Sequence, residues 1–289
     1  MHDTARPRRS VLYLPASNLR AIEKARSLPC DTVILDLEDA VAPEAKPEAR
    51  AAAVAAVRAG GFGARELVVR VNGLDTPWGA DDLAAVAGAR PNAILTPKIS
   101  SAADLAAVRA AAGPELPLWA MIETCAAMFA LPEIAAASLR LGTGVWVMGT
   151  NDLAKEMHCL PGVDRAPLTT ALSLSVMAAR AHGLIILDGV FNDIGDPDGL
   201  TKQCAQGAAW GFDGKTLIHP GQIDTANTAF TPEADAVAWA RTVVAAFDDP
   251  ATGDKGVLKV EGRMVERLHL EEARRLIAVA EAIAGRVAG

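Results

Sequence analysis

Short apolar segments recur along the chain at intervals of roughly thirty residues, and many of them are rich in β-branched residues. Eight of these segments are predicted to be strands, over residues 11–15, 32–37, 67–71, 93–96, 118–122, 145–148, 184–187 and 215–218. Most of the intervals contain alanine-rich helical stretches, such as residues 47–58 and 102–111. Alternating strands and helices are typical of a parallel sheet covered on both faces, which explains the continuous apolar segments.

Eight strand–helix repeats predict an α/β protein, a (β/α)₈ TIM barrel, over residues 1–230 of the 289-residue chain. Residues 231–289 are predicted to form a C-terminal helical extension that contains a helix, a linker with a hairpin-like pair and a final amphipathic helix. This extension is expected to pack outside the barrel or on a neighbouring subunit. A doubly wound open sheet is the alternative fold, although the sequence contains neither GxGxxG nor GxxxxGK[ST].

The composition, with 51% hydrophobic and 22% charged residues, indicates a globular protein. A net charge of -7 argues against a nucleic-acid partner, and no apolar run is long enough to predict a membrane span. The basic N-terminus lacks the apolar stretch of a secretion signal, so we expect a cytoplasmic protein. The four cysteines lie far apart in the sequence, which predicts neither a zinc site nor a disulfide framework.

Polar residues follow most of the predicted strands at their C-terminal ends. They are Glu38, Arg70, Lys98, Glu123, Asn151, Asp152, Asp188 and His219. In a parallel barrel these ends share one rim, so residues that are distant in sequence are predicted to meet in one pocket.

Glu123 and Asp152 end consecutive predicted strands, and two carboxylates with water and substrate oxygens suit Mg²⁺. The alternative is that Asp152 only caps the helix predicted after it, because "TNDLAKEM" has the pattern of a helix N-terminus. Arg70 ends an apolar strand, where a buried guanidinium needs an anionic partner. That partner is either a substrate carboxylate or enolate, or a structural carboxylate from Asp36 or Glu38.

Lys98 and His219 are weaker candidates. A lysine at a barrel rim is often only solvated, although a Schiff-base role for Lys98 is conceivable. A single histidine such as His219 is more often structural than functional.

The motifs "LYLPASN", "DLEDAV", "RVNGLDTPWG", "PK", "IET", "GTNDLA", "DGVFND" and "GKTLIHP", in this order, resemble the citrate lyase β-subunit-like and malyl-CoA lyase family. The resemblance extends through nearly the whole chain. It implies a Mg²⁺-dependent (β/α)₈ barrel that acts on small-molecule CoA thioesters and assembles as a homotrimer or homohexamer.

The resemblance also implies roles for individual residues. Glu123 and Asp152 match the magnesium ligands, and Glu123 is also implied to contact the substrate. Arg70 matches the contact to the substrate carboxylate or enolate. Glu38 matches the residue that positions Arg70. CoA contacts are implied for Tyr13, Lys24, Ile218 and His219. Asn18 stands where similar lyases can have an arginine, and Arg20 is the candidate substitute for its phosphate contact.

Glu266 lies in "EGRMVERLHLEEA", which resembles the C-terminal segment that reaches a neighbouring subunit's active site in this family. Many lyases have aspartate at this position, whereas glutamate resembles the branch that includes malyl-CoA thioesterases. The function expected from the sequence is a Mg²⁺-dependent carbon–carbon lyase that cleaves malyl-CoA or citramalyl-CoA to acetyl-CoA and a 2-oxo acid, with Glu266 as the base. The alternatives are a (3S)-malyl-CoA thioesterase that uses the same site and a β subunit of a citrate lyase-like complex.

Overall fold

The computed structural model describes residues 6–249, 252 and 255–287, and these form two compact units. The first unit comprises residues 8–230, and the second comprises residues 6–7 together with the described residues after 230. The outer limits of the two predicted domains, residues 1 and 289, lie outside the described residues.

The first unit is a closed barrel of eight parallel strands in sequence order, in which the eighth strand pairs with the first. The predicted (β/α)₈ barrel is therefore confirmed, and the open doubly wound sheet is wrong. The strands are β1 Ser10–Pro15, β2 Thr32–Asp36, β3 Glu66–Arg70, β4 Ala93–Thr96, β5 Leu118–Ile122, β6 Thr143–Met148, β7 Ile185–Asp188 and β8 Gly214–Leu217.

Helices follow the strands, and several begin at a side chain that caps the helix. Ser101, Thr124 and Asp196 each accept a hydrogen bond from a backbone N–H in the first turn of the following helix. The helices of this unit are α1 Leu19–Ala25, α2 Lys46–Ala59, α3 Gly79–Ala89, α4 Ala102–Ala112, α5 Cys125–Phe129, α6 Leu131–Arg140, α7 Thr150–Glu156, α8 Thr169–Ala181, α9 Pro197–Trp210 and α10 Ile223–Ala229.

Side chains alternate along each strand between the barrel interior and the layer of helices. The interior cluster includes Ile34, Val68 and Met121, and this period of two continues to Asp36, Arg70 and Glu123 at the strands' C-terminal ends. The alternation that fills the barrel with apolar side chains thus also turns these charged side chains inward at the C-terminal ends of the strands.

The second unit contains α11 Ala234–Asp248, the antiparallel strands β9 Val257–Val260 and β10 Arg263–Glu266, and α12 Arg267–Val287. Its core combines Val243 and Phe247 of α11 with Leu258 of β9 and Leu270 of α12. The predicted hairpin and final helix are both present. Within the described part of the chain, no helix combines the length and apolarity needed to span a membrane.

Candidate active site

A cavity of about 280 Å³ opens among the C-terminal ends of the barrel strands. Side chains that belong to or directly follow seven of the eight strands line it, including Tyr13, Asp36, Arg70, Glu123, Asp152, Asn192 and Ile218. Five of the ten predicted site residues, Tyr13, Arg70, Glu123, Asp152 and Ile218, therefore line one cavity, as the geometry of a parallel barrel favours.

Glu123 stands directly after β5, and its side chain is almost completely buried. One carboxylate oxygen, Oε1, accepts a hydrogen bond of 2.7 Å from the backbone N–H of Lys98. The other oxygen, Oε2, is buried and has no hydrogen-bond partner among the described residues. Burial, followed by the negative charge of Glu38, raises the pKa of Glu123 from 4.5 to about 8. A buried acceptor without a partner is costly, which makes Oε2 a natural place for a bound cation.

Asp152 lies in the first turn of α7 and lines the same cavity as Glu123. The residue that caps α7 is Gly149, and among the described residues no side chain forms a capping hydrogen bond at this helix N-terminus. The alternative that Asp152 serves as the helix cap is therefore not supported by the hydrogen bonding.

Arg70 ends β3 and is held by carboxylates on two sides. Its Nε and Nη2 each donate a hydrogen bond of 2.6 Å to Asp36, and its Nη1 lies 2.7 Å from Oε2 of Glu38. The guanidinium also stacks 4.9 Å from the centre of the Tyr13 ring. Burial alone lowers the pKa of Arg70, but the carboxylates, led by Asp36, outweigh burial and hold the pKa well above its ordinary value. Both carboxylates that the sequence offered as structural partners thus contact the arginine, and the charge stays fixed at the cavity wall.

Glu38 connects Arg70 to Lys98. Its Oε1 lies 3.5 Å from the ammonium of Lys98, on the side opposite its contact with Arg70. Burial raises the pKa of Glu38, and the positive charge of Arg70 opposes this shift. The predicted positioning of Arg70 by Glu38 is consistent with these contacts, and Asp36 contributes more hydrogen bonds to the same task.

The donor set fits a divalent cation of the magnesium type. The described residues contain no cluster of three or more His, Cys, Asp or Glu side chains suited to a metal. Magnesium does not require one, because it usually keeps several waters and takes only one or two protein carboxylates. Glu123, with its unpaired oxygen, and Asp152 on the same cavity wall meet that requirement.

Several predicted CoA contacts lie away from the cavity wall. Arg20 and Lys24 are exposed on α1, four residues apart on one helix face. The ring of His219 accepts a hydrogen bond from the backbone N–H of Gly221, and the side chain of Gln222 accepts one from the backbone of His219. This capping arrangement is the structural alternative that the sequence left open for His219. CoA contacts for these residues stay predictions.

Asp188 is not among the residues that line this cavity. Asp188 is fully buried in an ion cluster, 2.9 Å from Nζ of Lys215 and 2.5 Å from Nη1 of Arg165. Glu266 belongs to the second unit, where its side chain is exposed and its backbone N–H donates to the ring of His269. The role of Glu266 in a neighbouring subunit stays a prediction.

Sequence reasoning overlooked three contributors to the site. Asp39 and Thr216 line the cavity, and Asn192 exchanges hydrogen bonds of 2.8 and 3.2 Å with Asn151 across the rim. Each lies in or beside a motif already noted, but the roles in those regions were assigned to Glu38, Asp152 and His219 instead. The signal that favours Thr216 is its place in β8, directly before the end of the strand.

Fold and site together define a class of protein: a (β/α)₈ barrel with an acidic rim cavity that is suited to one hard cation beside a fixed arginine. Residues 9–220 match the family model described as HpcH/HpaI aldolase/citrate lyase. The chain belongs to this family, and the resemblance inferred from its motifs is confirmed.

Three relatives show how the similarity is distributed. The chain is 50% identical over 284 residues to a (3S)-malyl-CoA thioesterase of Cereibacter sphaeroides, which covers 98% of both sequences. It is 35% identical to an L-malyl-CoA/beta-methylmalyl-CoA lyase of the same species, with 96% of each chain covered. The structure of CitE from Mycobacterium tuberculosis in complex with magnesium, acetoacetate and coenzyme A superimposes with a TM-score of 0.78 and 32% identity, covering 96% of this chain and 99% of that one.

The similarity to the thioesterase overturns the expected carbon–carbon lyase. Full-length identity is 50% to the thioesterase and 35% to the lyase. The lyase expectation was wrong because Glu123, Asp152 and Arg70 are residue types that suit either reaction. They therefore do not distinguish cleavage of a carbon–carbon bond from hydrolysis of the thioester.

In the metal-free protein, the contribution of Glu123 to the free energy of unfolding is expected to fall between pH 4.5 and about 8, because Glu123 titrates differently in the folded and unfolded states. The folded chain holds the Glu123 proton up to about pH 8, whereas the unfolded chain releases it near 4.5. This contribution is complete below 4.5 and is lost as the pH rises through that window. Denaturation in EDTA measures the free energy of unfolding of both proteins. The value for Glu123→Gln, relative to the unmodified protein, should therefore be higher at pH 8 than at pH 5. An equal difference at both pH values would contradict the raised pKa.

Proposed function

We propose that this protein hydrolyses the thioester of a malyl-CoA-type substrate, with Mg²⁺ bound by Glu123 and Asp152. The observation that supports hydrolysis most strongly is the 50% identity to the (3S)-malyl-CoA thioesterase, which is continuous over nearly the full length of both chains. The magnesium and coenzyme A of the related CitE complex support the cation and the CoA portion of the substrate.

The cavity favours the acid end of such a substrate. Its volume of about 280 Å³ lies just below the usual range for small-molecule sites, so it suits a short acid rather than a whole CoA molecule. The acid would lie beside Arg70, and the CoA would extend over the rim towards the exposed cations of α1.

Mg²⁺ bound at Glu123 and Asp152 would supply a Lewis acid that holds and polarises the oxygens of the substrate acid. Arg70 contributes a positive charge that Asp36 and Glu38 hold in place, so it stabilises developing negative charge without having to reorganise. Burial raises the pKa of Tyr13, whose hydroxyl therefore stays protonated beside Arg70.

Hydrolysis also requires a group that directs water at the thioester carbonyl. We assign this role to Glu266 of a neighbouring subunit, as the sequence predicted. Water adds to the carbonyl carbon, the carbon–sulfur bond breaks, and CoA leaves as the thiolate while the acid is released. A homotrimer or homohexamer would supply the neighbouring subunit, and its number of chains stays a prediction.

Product analysis tests the proposed reaction. Purified protein with Mg²⁺ and (3S)-malyl-CoA should release malate and an equal amount of free CoA, which a thiol reagent detects. Carbon–carbon cleavage would instead give acetyl-CoA and glyoxylate, with no free thiol. Glyoxylate without free CoA would contradict the proposal, as would the absence of any turnover.

Gly149→Ala is expected to weaken Mg²⁺ binding by about 10- to 100-fold, because the added Cβ would overlap the Glu123 carboxylate. The matched control is Gly88→Ala in α3, where an added Cβ meets nothing within 4 Å. Isothermal titration with Mg²⁺ measures both variants. Unchanged affinity in Gly149→Ala would show that Glu123 does not bind the cation in this position.

A further inference from the structure

Lys98 has an unusual backbone conformation beside the proposed metal site. Its φ of 53° lies in the left-handed region, which residues with a side chain adopt rarely. In this conformation its backbone N–H donates to Oε1 of Glu123, while its ammonium lies 3.5 Å from Oε1 of Glu38. One residue thus contacts two carboxylates of the site through two different groups.

The two cations of the site differ in how firmly they are held. The guanidinium of Arg70 is buried and fixed by Asp36 and Glu38. The side chain of Lys98 is 49% exposed, and its 3.5 Å contact with Glu38 is longer than a good charged hydrogen bond. The ammonium of Lys98 can therefore move when the charge around it changes, whereas Arg70 cannot.

The field at the Lys98 ammonium comes from the carboxylates around the cavity. The ammonium lies 3.5 Å from Oε1 of Glu38, whose other oxygen contacts Arg70 at the cavity wall, and the backbone N–H of the same lysine donates to the proposed metal ligand Glu123. A divalent cation bound at Glu123 would therefore repel this ammonium, because like charges in one connected group interact unfavourably.

We propose that Lys98 is a positioning residue that acts as the counter-cation of the metal-free site and competes electrostatically with Mg²⁺. Its ammonium offsets the charge of Glu38, and its backbone N–H holds the side chain of Glu123 in position for the metal. The inference rests on the metal site in the proposed function but not on the hydrolysis reaction. It implies that Mg²⁺ alone binds less tightly than it would if the positive charge of Lys98 were absent. It also implies that a bound substrate acid raises the affinity for Mg²⁺ by adding negative charge.

Titration with Mg²⁺ alone, at low ionic strength and without substrate, tests this proposal. Lys98→Met should bind Mg²⁺ about ten-fold more tightly than the unmodified protein, because a repelling charge is removed. Lys98→Arg keeps the charge and should return the affinity to its original value. Lys202→Met removes the same charge from an exposed position on α9 and should leave the affinity unchanged.

A second variant separates the charge from the backbone conformation. Lys98→Gly removes the ammonium but retains the N–H that binds Glu123, in a residue that adopts the left-handed region readily. It should show the same tightening as Lys98→Met, and the difference should shrink in high salt.

Weaker or unchanged Mg²⁺ binding in both Lys98→Met and Lys98→Gly would overturn the proposal, since a purely structural lysine would not oppose the metal. Absence of Mg²⁺ binding in all of these proteins would also overturn it. Tighter binding in a protein that fails to hydrolyse malyl-CoA would support the role of Lys98 while rejecting the proposed reaction.

Discussion

Replacing Glu123 with glutamine is expected to reduce Mg²⁺-dependent hydrolysis of malyl-CoA by on the order of 10³-fold. The substitution keeps the size of the side chain and the oxygen that accepts the Lys98 N–H, so the fold should be maintained. It removes the ability of Glu123 to give up its proton and bind a cation as a negatively charged carboxylate through its unpaired oxygen. Initial rates at several Mg²⁺ concentrations measure both the loss of turnover and the metal concentration required.

The matched control is Glu133→Gln on α6, which makes the same chemical change at an exposed position outside the cavity. Its rate should equal that of the unmodified protein. Asp152→Asn should resemble Glu123→Gln, because the two carboxylates are proposed to share one ion. Normal turnover in either variant would exclude that carboxylate as a metal ligand.

Replacing Arg70 with methionine is expected to destabilise the protein by about 3–5 kcal/mol, because Asp36 would remain buried without its positive partner and Glu38 would keep only its longer contact with Lys98. Urea denaturation measures the loss of free energy of unfolding. The same substitution at Arg90, whose ion pair with Glu115 is exposed, should cost less than about 1 kcal/mol.

A double variant shows whether the buried charge causes this loss. Combining Arg70→Met with Asp36→Asn removes one of the carboxylates that the arginine neutralised, so the pair should lose less stability than the sum of the single changes. Additive losses would show that Arg70 stabilises the barrel through packing alone.

The barrel itself could be predicted from the sequence, because each strand is buried on both faces and therefore reads as a continuous apolar segment. The rim could be predicted as well, since the end of each segment marks where polar side chains begin. The same alternation that buries Ile34 and Val68 places Asp36 and Arg70 two residues further on, inside the barrel.

Other features depend on contacts that no local pattern encodes. The left-handed conformation of Lys98 turns its N–H towards Glu123, and nothing in "LTPK" indicates it. Asp188 follows an apolar strand just as Glu123 follows β5, yet buried Lys215 and Arg165 pair with it and remove it from the site. The site motifs alone also left the reaction open, because the same carboxylates and arginine suit both a lyase and a thioesterase; only Glu266 pointed to the thioesterase alternative.

The most direct test of this account is a crystal structure of the protein soaked with Mn²⁺, whose anomalous scattering locates a divalent ion that substitutes for Mg²⁺. One ion is expected in the rim cavity, about 2.0–2.2 Å from a carboxylate oxygen of Glu123 and from one of Asp152. An ion bound elsewhere, or a rim cavity that binds no ion when Mn²⁺ is present in excess, would contradict it.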